Sequence, residues 1–282
     1  MKSRRTAALY VVLALGFSLL HWLTVVLARR NVLPFSMEKS GWAVASVPGS
    51  ILMLVLRGFG PAIAGVIALA VIRGRSAVVE LGRSIVRWRV PGHLYLLGLF
   101  GIIVNAAVVI AGYATGVLHF ALEQVNLPRF LLLFFLMALL DGPLGEEIGW
   151  RGVMLPQLLE TFRPLTASLM VGVVWYAWHL PLYASEGRSM TGWWHVDYAL
   201  TCVTLSIIFT WFFLKSNGST FLAIYLHNCS NYFTFVRFKL FVKTGDSPVP
   251  RIAYLVVLLA IAIAAVIALW CTPRVGVPET AA

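Results

Sequence analysis

Charged residues are scarce in this 282-residue sequence: Asp, Glu, Lys and Arg together make up 12% of it, whereas 60% is hydrophobic. A soluble domain rarely has this balance. Uncharged apolar stretches of about 20 residues, the length that crosses about 30 Å of hydrocarbon, recur along the chain. The sequence therefore predicts an all-α, polytopic helical membrane protein.

Several common functional motifs are absent as well. Three cysteines lie inside apolar runs without C-x-x-C spacing, and we interpret them as small buried residues rather than disulfide partners or metal ligands: Cys202, Cys229 and Cys271. The sequence contains no H-E-x-x-H, no G-x-S-x-G and no glycine-rich phosphate loop. Most of the net charge of +11 falls in short loops, which indicates membrane topology and anionic-lipid contact rather than nucleic-acid binding.

The apolar stretches predict about eight transmembrane helices in a single integral-membrane domain, residues 1–282. The expected spans lie at about 7–28, 46–72, 93–115, 130–159, 165–183, 197–214, 219–236 and 251–271. Residues 73–91 are expected to form a basic loop, and this loop and the basic N-terminus are placed in the cytoplasm. The basic 237–251 loop would then lie outside, in conflict with the positive-inside rule.

Two adjacent glutamates, Glu146 and Glu147, stand out against this apolar background. A charged side chain at the centre of a spanning helix costs about 2.5–3.5 kcal/mol on insertion scales, so a functional role is the default expectation. Arg151 follows Glu147 by four residues, which is the favourable order for an ion pair on a helix. We therefore expect Arg151 to hold Glu147 and to leave Glu146 free for chemistry. A purely structural ion-pair network is the alternative.

Two further predicted helices carry polar residues at helical spacing. Trp175 and His179 are four residues apart, and so are His227 and Asn231. A single histidine in an apolar helix is more often a core residue, and a single Asn often joins neighbouring helices. Antiparallel packing of the fourth and fifth spans would bring His179 to the depth of Glu146, however. Together these side chains predict one polar site shared by three spans.

Such a site could activate water for attack on a carbonyl group in two ways, between which the sequence does not choose. In the first, a buried carboxylate next to a histidine deprotonates water, and His and Asn donors stabilise the resulting oxyanion. In the second, Glu146, His179 and His227 bind a divalent metal such as zinc and leave a fourth position for water.

Three motifs resemble, in order and rough spacing, those of the CAAX protease and bacteriocin-processing (CPBP, or Abi) family of intramembrane proteases: Glu146-Glu147-x-x-x-Arg151, Trp175-x-x-x-His179 and His227-x-x-x-Asn231. This family includes the type II CAAX prenyl endopeptidases. The resemblance covers a family-like core at about 128–235. Trp175 departs from the family pattern, which usually has Phe at that position.

The resemblance implies an endopeptidase in which Glu146 activates water with the help of His179. It implies that the His227-x-x-x-Asn231 motif stabilises the oxyanion or binds a metal, and that Glu147 and Arg151 support these groups. The family is commonly described as metalloproteases, although a metal-free mechanism that depends on glutamate is also considered for it.

The resemblance further implies an integral protein of a bacterial cell membrane, with a membrane-associated or lipid-anchored peptide or protein as its substrate. A non-enzymatic membrane scaffold or bacteriocin-immunity protein on the same fold is one alternative. A transporter is another, but transporters often have inverted repeats and paired broken helices, and neither is evident in this sequence.

Overall fold

The structure is a computed structural model that describes residues 1–33, 47–120, 127–140, 142–185, 190, 192–244 and 247–270. Its elements follow in this order: α1 (Lys2–Arg29), α2 (Val47–Gly58), α3 (Gly60–Ile72), α4 (Arg75–Ile85), α5 (Gly92–Leu97), α6 (Phe100–Ala114), β1 (Leu118–Phe120), α7 (Leu127–Leu140), α8 (Pro143–Gly149), a π-helical segment (Trp150–Met154), α9 (Leu155–Leu159), α10 (Pro164–Ser185), α11 (Trp193–Lys215), α12 (Thr220–Leu240), β2 (Phe241–Lys243) and α13 (Val249–Trp270). The two short strands pair in antiparallel orientation.

The helices confirm an all-α, multi-pass integral membrane protein. Within the described residues, five segments are long and apolar enough to cross a membrane: α1, α5 with α6, α10, α11 and α13. The pair α2 and α3 is bent by 62° and makes a sixth crossing if it is counted as one span. The predicted count of eight is not confirmed, because the predicted fourth span is broken and α12 has the length of a span but several polar residues.

The fourth predicted span is not one helix, and the expectation that it runs unbroken past the two glutamates is wrong. Helix α7 ends at Leu140, and Gly142 has a φ of +101°, which residues with a side chain rarely adopt. Pro143 then begins α8, where its missing N–H leaves no helical hydrogen bond unmade. A π-helical segment follows α8 directly, a geometry that is frequent at functional sites. The glutamates therefore lie on a short helix between a break in the backbone and a π-helical segment.

The basic segment 73–91 also differs from the prediction, because most of it is helix α4 rather than loop. Leu81 on this helix is buried, and the hydroxyl of Ser84 lies 2.9 Å from that of Thr220 at the start of α12. Arg83 remains exposed. Helix α4 therefore packs one face on the bundle and leaves positive charge at the surface.

The two ends of the bundle are fixed by different contacts. At one end, which we name the Glu160 end, the carboxylate of Glu160 accepts hydrogen bonds from Ser3 and Arg73. At the other, the strand end, β1 pairs with β2 and Arg251 forms an ion pair with Asp197. Helix α10 leads from one end to the other with 22 residues, about 33 Å at 1.5 Å per residue.

One cluster of buried side chains runs through the bundle from α1 to α13. Trp150 lies within it and packs edge-to-face on Tyr10, with ring centroids 5.4 Å apart. Cys202 and Cys229 are buried, as the sequence predicted, whereas Cys271 lies outside the described residues. The division of residues 1–282 into a single domain stays a prediction.

Candidate active site

Glu147 is sealed inside the protein by two partners. Its side chain is 0% exposed, and Arg151 donates a hydrogen bond of 2.8 Å to its Oε1. The Nδ1 of His227, which comes from α12, donates to the same oxygen over 2.9 Å. The predicted contact between Glu147 and Arg151 is therefore present, and the carboxylate also orients the imidazole ring of His227.

The guanidinium group of Arg151 is held between two aromatic rings. Its central carbon lies 4.8 Å from the ring centroid of Trp175 and 4.8 Å from that of Phe209. Cations are attracted to aromatic faces at this distance, and the attraction is stronger where water is excluded. The buried charge of Arg151 is therefore compensated both by the carboxylate and by the two rings.

Glu146 occupies a different environment from Glu147. Its Oε2 accepts a hydrogen bond of 2.6 Å from the indole N–H of Trp175, and 6% of the residue is exposed. A neighbouring helix therefore fixes the carboxylate of Glu146, and the expectation that Glu146 is left for chemistry stays a prediction. The hydrogen bond leaves the carboxylate at the wall of a cavity, where it can still meet another molecule.

His179 is oriented by the backbone of its own helix. Its Nδ1 donates a hydrogen bond of 2.9 Å to the carbonyl oxygen of Trp175. Its ring also stacks on Tyr183 and meets Tyr198 edge-to-face, at centroid distances of 5.4 and 5.2 Å. When neutral, a ring with its proton on Nδ1 has its basic lone pair on Nε2.

Three helices bring the predicted residues together. Glu146 from α8, His179 from α10, and His227 and Asn231 from α12 all line one cavity of about 460 Å³, which we name the central cavity. Glu147 lies behind this wall. The shared location follows from the antiparallel packing of α10 and from the spacing of four residues on α12. The catalytic roles of these residues stay predictions.

The donor set only partly fits a metal. Glu146, His179 and His227 are the donor types of an open zinc site, and each histidine uses its Nδ1 in a second hydrogen bond, as metal-bound histidines do. In the part of the chain that the structure describes, however, no group of three His, Cys, Asp or Glu side chains is arranged to hold a metal ion. The donor types therefore suit a metal, whereas their arrangement in the described residues does not, and the metal site stays a prediction.

Sequence reasoning missed several side chains of this site. Tyr183 follows His179 by four residues, a spacing that the sequence displays, and its hydroxyl donates a 2.8 Å hydrogen bond to that of Tyr198. Tyr198 and Phe209 lie on α11, which carries none of the three motifs. Arg57 also lines the central cavity, although its position suggested only a kink in the second span. These residues reach the site through tertiary packing.

Comparison with known proteins agrees with the motifs. The family model of type II CAAX prenyl endopeptidase Rce1-like proteins matches residues 127–233, a segment that contains α7 to α10, α11 and the polar part of α12. A protein named CAAX prenyl protease 2 from Methanococcus maripaludis is 34% identical over 98 residues. These cover 33% of this chain and 36% of that relative, so the chain matches about a third of the length of the relative. Both findings confirm the resemblance to the CPBP family.

Proposed function

We propose that this chain is an intramembrane endopeptidase, similar to CAAX prenyl proteases, which hydrolyses a peptide bond in a membrane-associated substrate. The observation that carries the proposal is the shared cavity: a carboxylate, two imidazoles and an amide line one space inside a bundle of apolar helices. Charged side chains in such surroundings are costly, and they are retained where they have a function. The matched family and relative are both named for prenyl-directed proteolysis.

In the proposed mechanism, Glu146 is the general base. Its carboxylate takes a proton from water while the water oxygen attacks the carbonyl carbon of the scissile bond. The carbonyl oxygen becomes an oxyanion, which accepts hydrogen bonds from Asn231 and from Nε2–H of His227. When this intermediate collapses, the C–N bond breaks and Glu146 returns its proton to the leaving amine. The products are one carboxylic acid and one amine, with one water consumed.

The surrounding contacts supply orientation and charge. Trp175 holds one oxygen of Glu146, so the carboxylate is positioned before the substrate arrives. The Glu147 carboxylate compensates a positive charge on the His227 ring, which is needed if both ring nitrogens are to donate. His179 faces the same cavity, and its Nε2 lone pair assists Glu146 in taking a proton from water.

A metal-assisted route is the second mechanism that the donor types support. Glu146, His179 and His227 would hold the ion, and the ion would supply a water of lowered pKa. No step above depends on it. Inactivation by a chelator, with reactivation by zinc, would support the metal route, whereas unchanged activity in a protein shown to be metal-free would reject it.

The decisive experiment uses the full-length protein in detergent and a membrane-tethered peptide reporter. Glu146→Gln should lower kcat by about 10²- to 10⁴-fold, the usual contribution of a general base. The matched control is Glu80→Gln, an exposed carboxylate on α4, which should cleave at the wild-type rate. Both variants should elute as wild type on size exclusion. Equal, measurable turnover by Glu146→Gln and wild type would reject Glu146 as the base, whereas no cleavage by either protein would favour the scaffold or immunity protein on the same fold.

A further inference from the structure

Aromatic side chains from two helices enclose the ring of His179. Tyr183, one turn further along α10, stacks on this ring with a centroid distance of 5.4 Å and an interplanar angle of 26°. Tyr198, from α11, meets the same ring edge-to-face at 5.2 Å, and Trp178 meets it edge-to-face at 4.8 Å. The plane of the imidazole is therefore set by these rings as well as by the hydrogen bond from its Nδ1 to the backbone.

Tyr183 and Tyr198, which we name the tyrosine pair, are joined to each other. The hydroxyl of Tyr183 donates a hydrogen bond of 2.8 Å to that of Tyr198, and the two ring centroids lie 5.0 Å apart at an interplanar angle of 74°. Edge-to-face contacts between aromatic rings are favourable at this distance. The tyrosine pair therefore connects α10 to α11 beside His179.

Trp194 supports both members of the tyrosine pair. It lies one turn before Tyr198 on α11 and stacks on that ring, with a centroid distance of 5.2 Å and an interplanar angle of 12°. Its ring meets that of Tyr183 edge-to-face at 5.5 Å. Each of the three rings thus contacts the other two. Side chains whose rotamers are locked by packing can hold a functional group in place, so the pair offers His179 a rigid surface.

The position of this surface matters for the proposed chemistry, because both tyrosines line the central cavity together with Glu146 and His179. The Nδ1 of His179 is engaged with the carbonyl oxygen of Trp175, so the proposed mechanism acts through Nε2 on the other side of the ring. Rotation of the imidazole would turn Nε2 away from Glu146. A misplacement of about 1 Å can cost about 10²-fold in rate.

We propose that Tyr183 and Tyr198 are positioning residues for His179. The pair keeps the imidazole in the one orientation, and in the one tautomer, in which Nε2 can assist Glu146. The kinetic consequence rests on the proposed function, whereas the orientation of the ring can be measured without turnover. The aromatic ring of Tyr183 supplies the contact with His179, and its hydroxyl supplies the link to α11.

Two substitutions at Tyr183 separate the ring from the hydroxyl, with the full-length protein and the membrane-tethered peptide reporter. Tyr183→Leu removes both, and it should lower kcat by about 10- to 100-fold while KM changes by less than about two-fold. Tyr183→Phe keeps the stacked ring and should retain most of kcat. Tyr198→Leu removes the other member of the pair and should resemble Tyr183→Leu, so the test does not depend on the folding of one variant.

The matched control is Tyr113→Leu. Tyr113 lies on α6, packs edge-to-face on Phe241 and is not among the described residues that line the central cavity. The same loss of an aromatic ring should therefore leave kcat at the wild-type value.

NMR of the full-length protein in phosphatidylcholine nanodiscs measures the orientation of His179 directly. The histidine rings are isotope-labelled, and the signals of His179 are assigned by their loss in His179→Gln. At a pH where this ring is neutral, wild type should show the tautomer with its proton on Nδ1. In Tyr183→Leu the tautomer with its proton on Nε2 should appear beside it, whereas Tyr183→Phe and Tyr113→Leu should keep the wild-type signals.

The outcomes distinguish an error in this proposal from an error in the proposed function. A wild-type kcat in Tyr183→Leu, with or without a raised KM, would overturn the proposal, because the ring would then only shape the cavity. A lower kcat with an unchanged tautomer would overturn it as well, since the loss would arise elsewhere. If the tautomer changes as expected but wild type cleaves no reporter, the tyrosine pair orients His179 and the proposed hydrolysis is wrong.

Discussion

Neighbouring carboxylates on the two faces of α8 lie in opposite environments. Glu147 is 0% exposed and is bound by Arg151 and His227. Glu146, one residue earlier, faces the central cavity and accepts the indole N–H of Trp175. Successive helical residues point about 100° apart, so one turn of helix can separate the two environments. The charge of Glu147 is compensated within the protein, whereas the carboxylate of Glu146 is accessible to a molecule in the cavity.

Trp175 connects the two faces. Its N–H binds Glu146, its ring lies over Arg151, and its edge-to-face contact with His227 has a centroid distance of 5.2 Å. We name the face of α8 that carries Glu147 the sealed face and the face that carries Glu146 the cavity face. A change on the sealed face can therefore displace groups on the cavity face. Stability and activity should therefore respond differently to substitutions only one residue apart.

The largest effect on stability is expected on the sealed face. Glu147→Gln leaves Arg151 buried without its counter-charge, and removing one partner of a buried ion pair costs about 3–5 kcal/mol. We expect the free energy of unfolding in detergent to fall by that amount, and activity to fall with it because His227 loses its orienting carboxylate. Glu146→Gln should instead lose activity and remain nearly as stable as wild type.

A double substitution tests the cause of this loss. Glu147→Gln with Arg151→Met removes the unmatched charge as well, so it should recover a large part of the stability without restoring activity. If Glu147→Gln alone unfolds at the wild-type midpoint, the sealed face does not depend on its ion pair and the contrast between the two faces is lost.

The second prediction concerns the bond that positions Glu146. Trp175→Phe keeps an aromatic face over Arg151 but removes the N–H, and a hydrogen bond to a charged group contributes about 1.5–3 kcal/mol. We expect kcat/KM to fall roughly ten- to hundred-fold for the reporter peptide, with a smaller change in stability.

The matched control is Trp211→Phe. The indole N–H of Trp211 is buried and has no hydrogen-bond partner among the described residues, so its removal should leave kcat/KM unchanged. The family that the motifs resemble usually has Phe at position 175. An unchanged rate in Trp175→Phe would therefore mean that other contacts position Glu146 and that the two faces are not coupled through this ring.

The sequence predicted the parts of this site that local geometry determines. A spacing of four residues is enough to pair Glu147 with Arg151 and to place His227 and Asn231 on one face of α12. The depth of His179 followed from the lengths of two consecutive helices. The multi-pass fold followed from apolar length alone.

The remaining features depend on contacts between distant segments or on single backbone angles. The positive φ of Gly142 divides the fourth span, and a Gly-Pro pair suggests such a break without fixing its direction. The indole of Trp175 reaches Glu146 only because α8 and α10 are packed together. Helix α4 was predicted as loop because residues 73–91 are strongly basic, and the burial of Leu81 that holds the helix on the bundle depends on distant segments.

The third prediction concerns the backbone break at Gly142. Gly142→Ala places a Cβ against Oε1 of Glu146 and at a φ of +101°, a sparsely populated backbone region that costs a residue with a side chain about 1–3 kcal/mol. We expect stability to fall by about that amount and kcat to fall further, because the carboxylate must move. Gly74→Ala is the control, since Gly74 has a φ of +84° and open space around it. If both variants lose kcat equally, displacement of Glu146 is not the cause.

The smallest effect is expected at the Glu160 end, where an ion pair lies outside the cavity. Glu160 and Arg73 are 27% and 31% exposed and their charged atoms are 3.2 Å apart, so water competes for both. Pairs of this kind contribute about 0–1 kcal/mol, because Coulomb attraction is weak in water and ordering the side chains costs entropy. Glu160→Gln should therefore change the free energy of unfolding by less than about 1 kcal/mol and leave kcat/KM unaltered.

The same chemical change at Glu147 removes a carboxylate that water cannot replace, so burial accounts for the difference between the two variants. A loss as large in Glu160→Gln as in Glu147→Gln would show that this explanation is wrong.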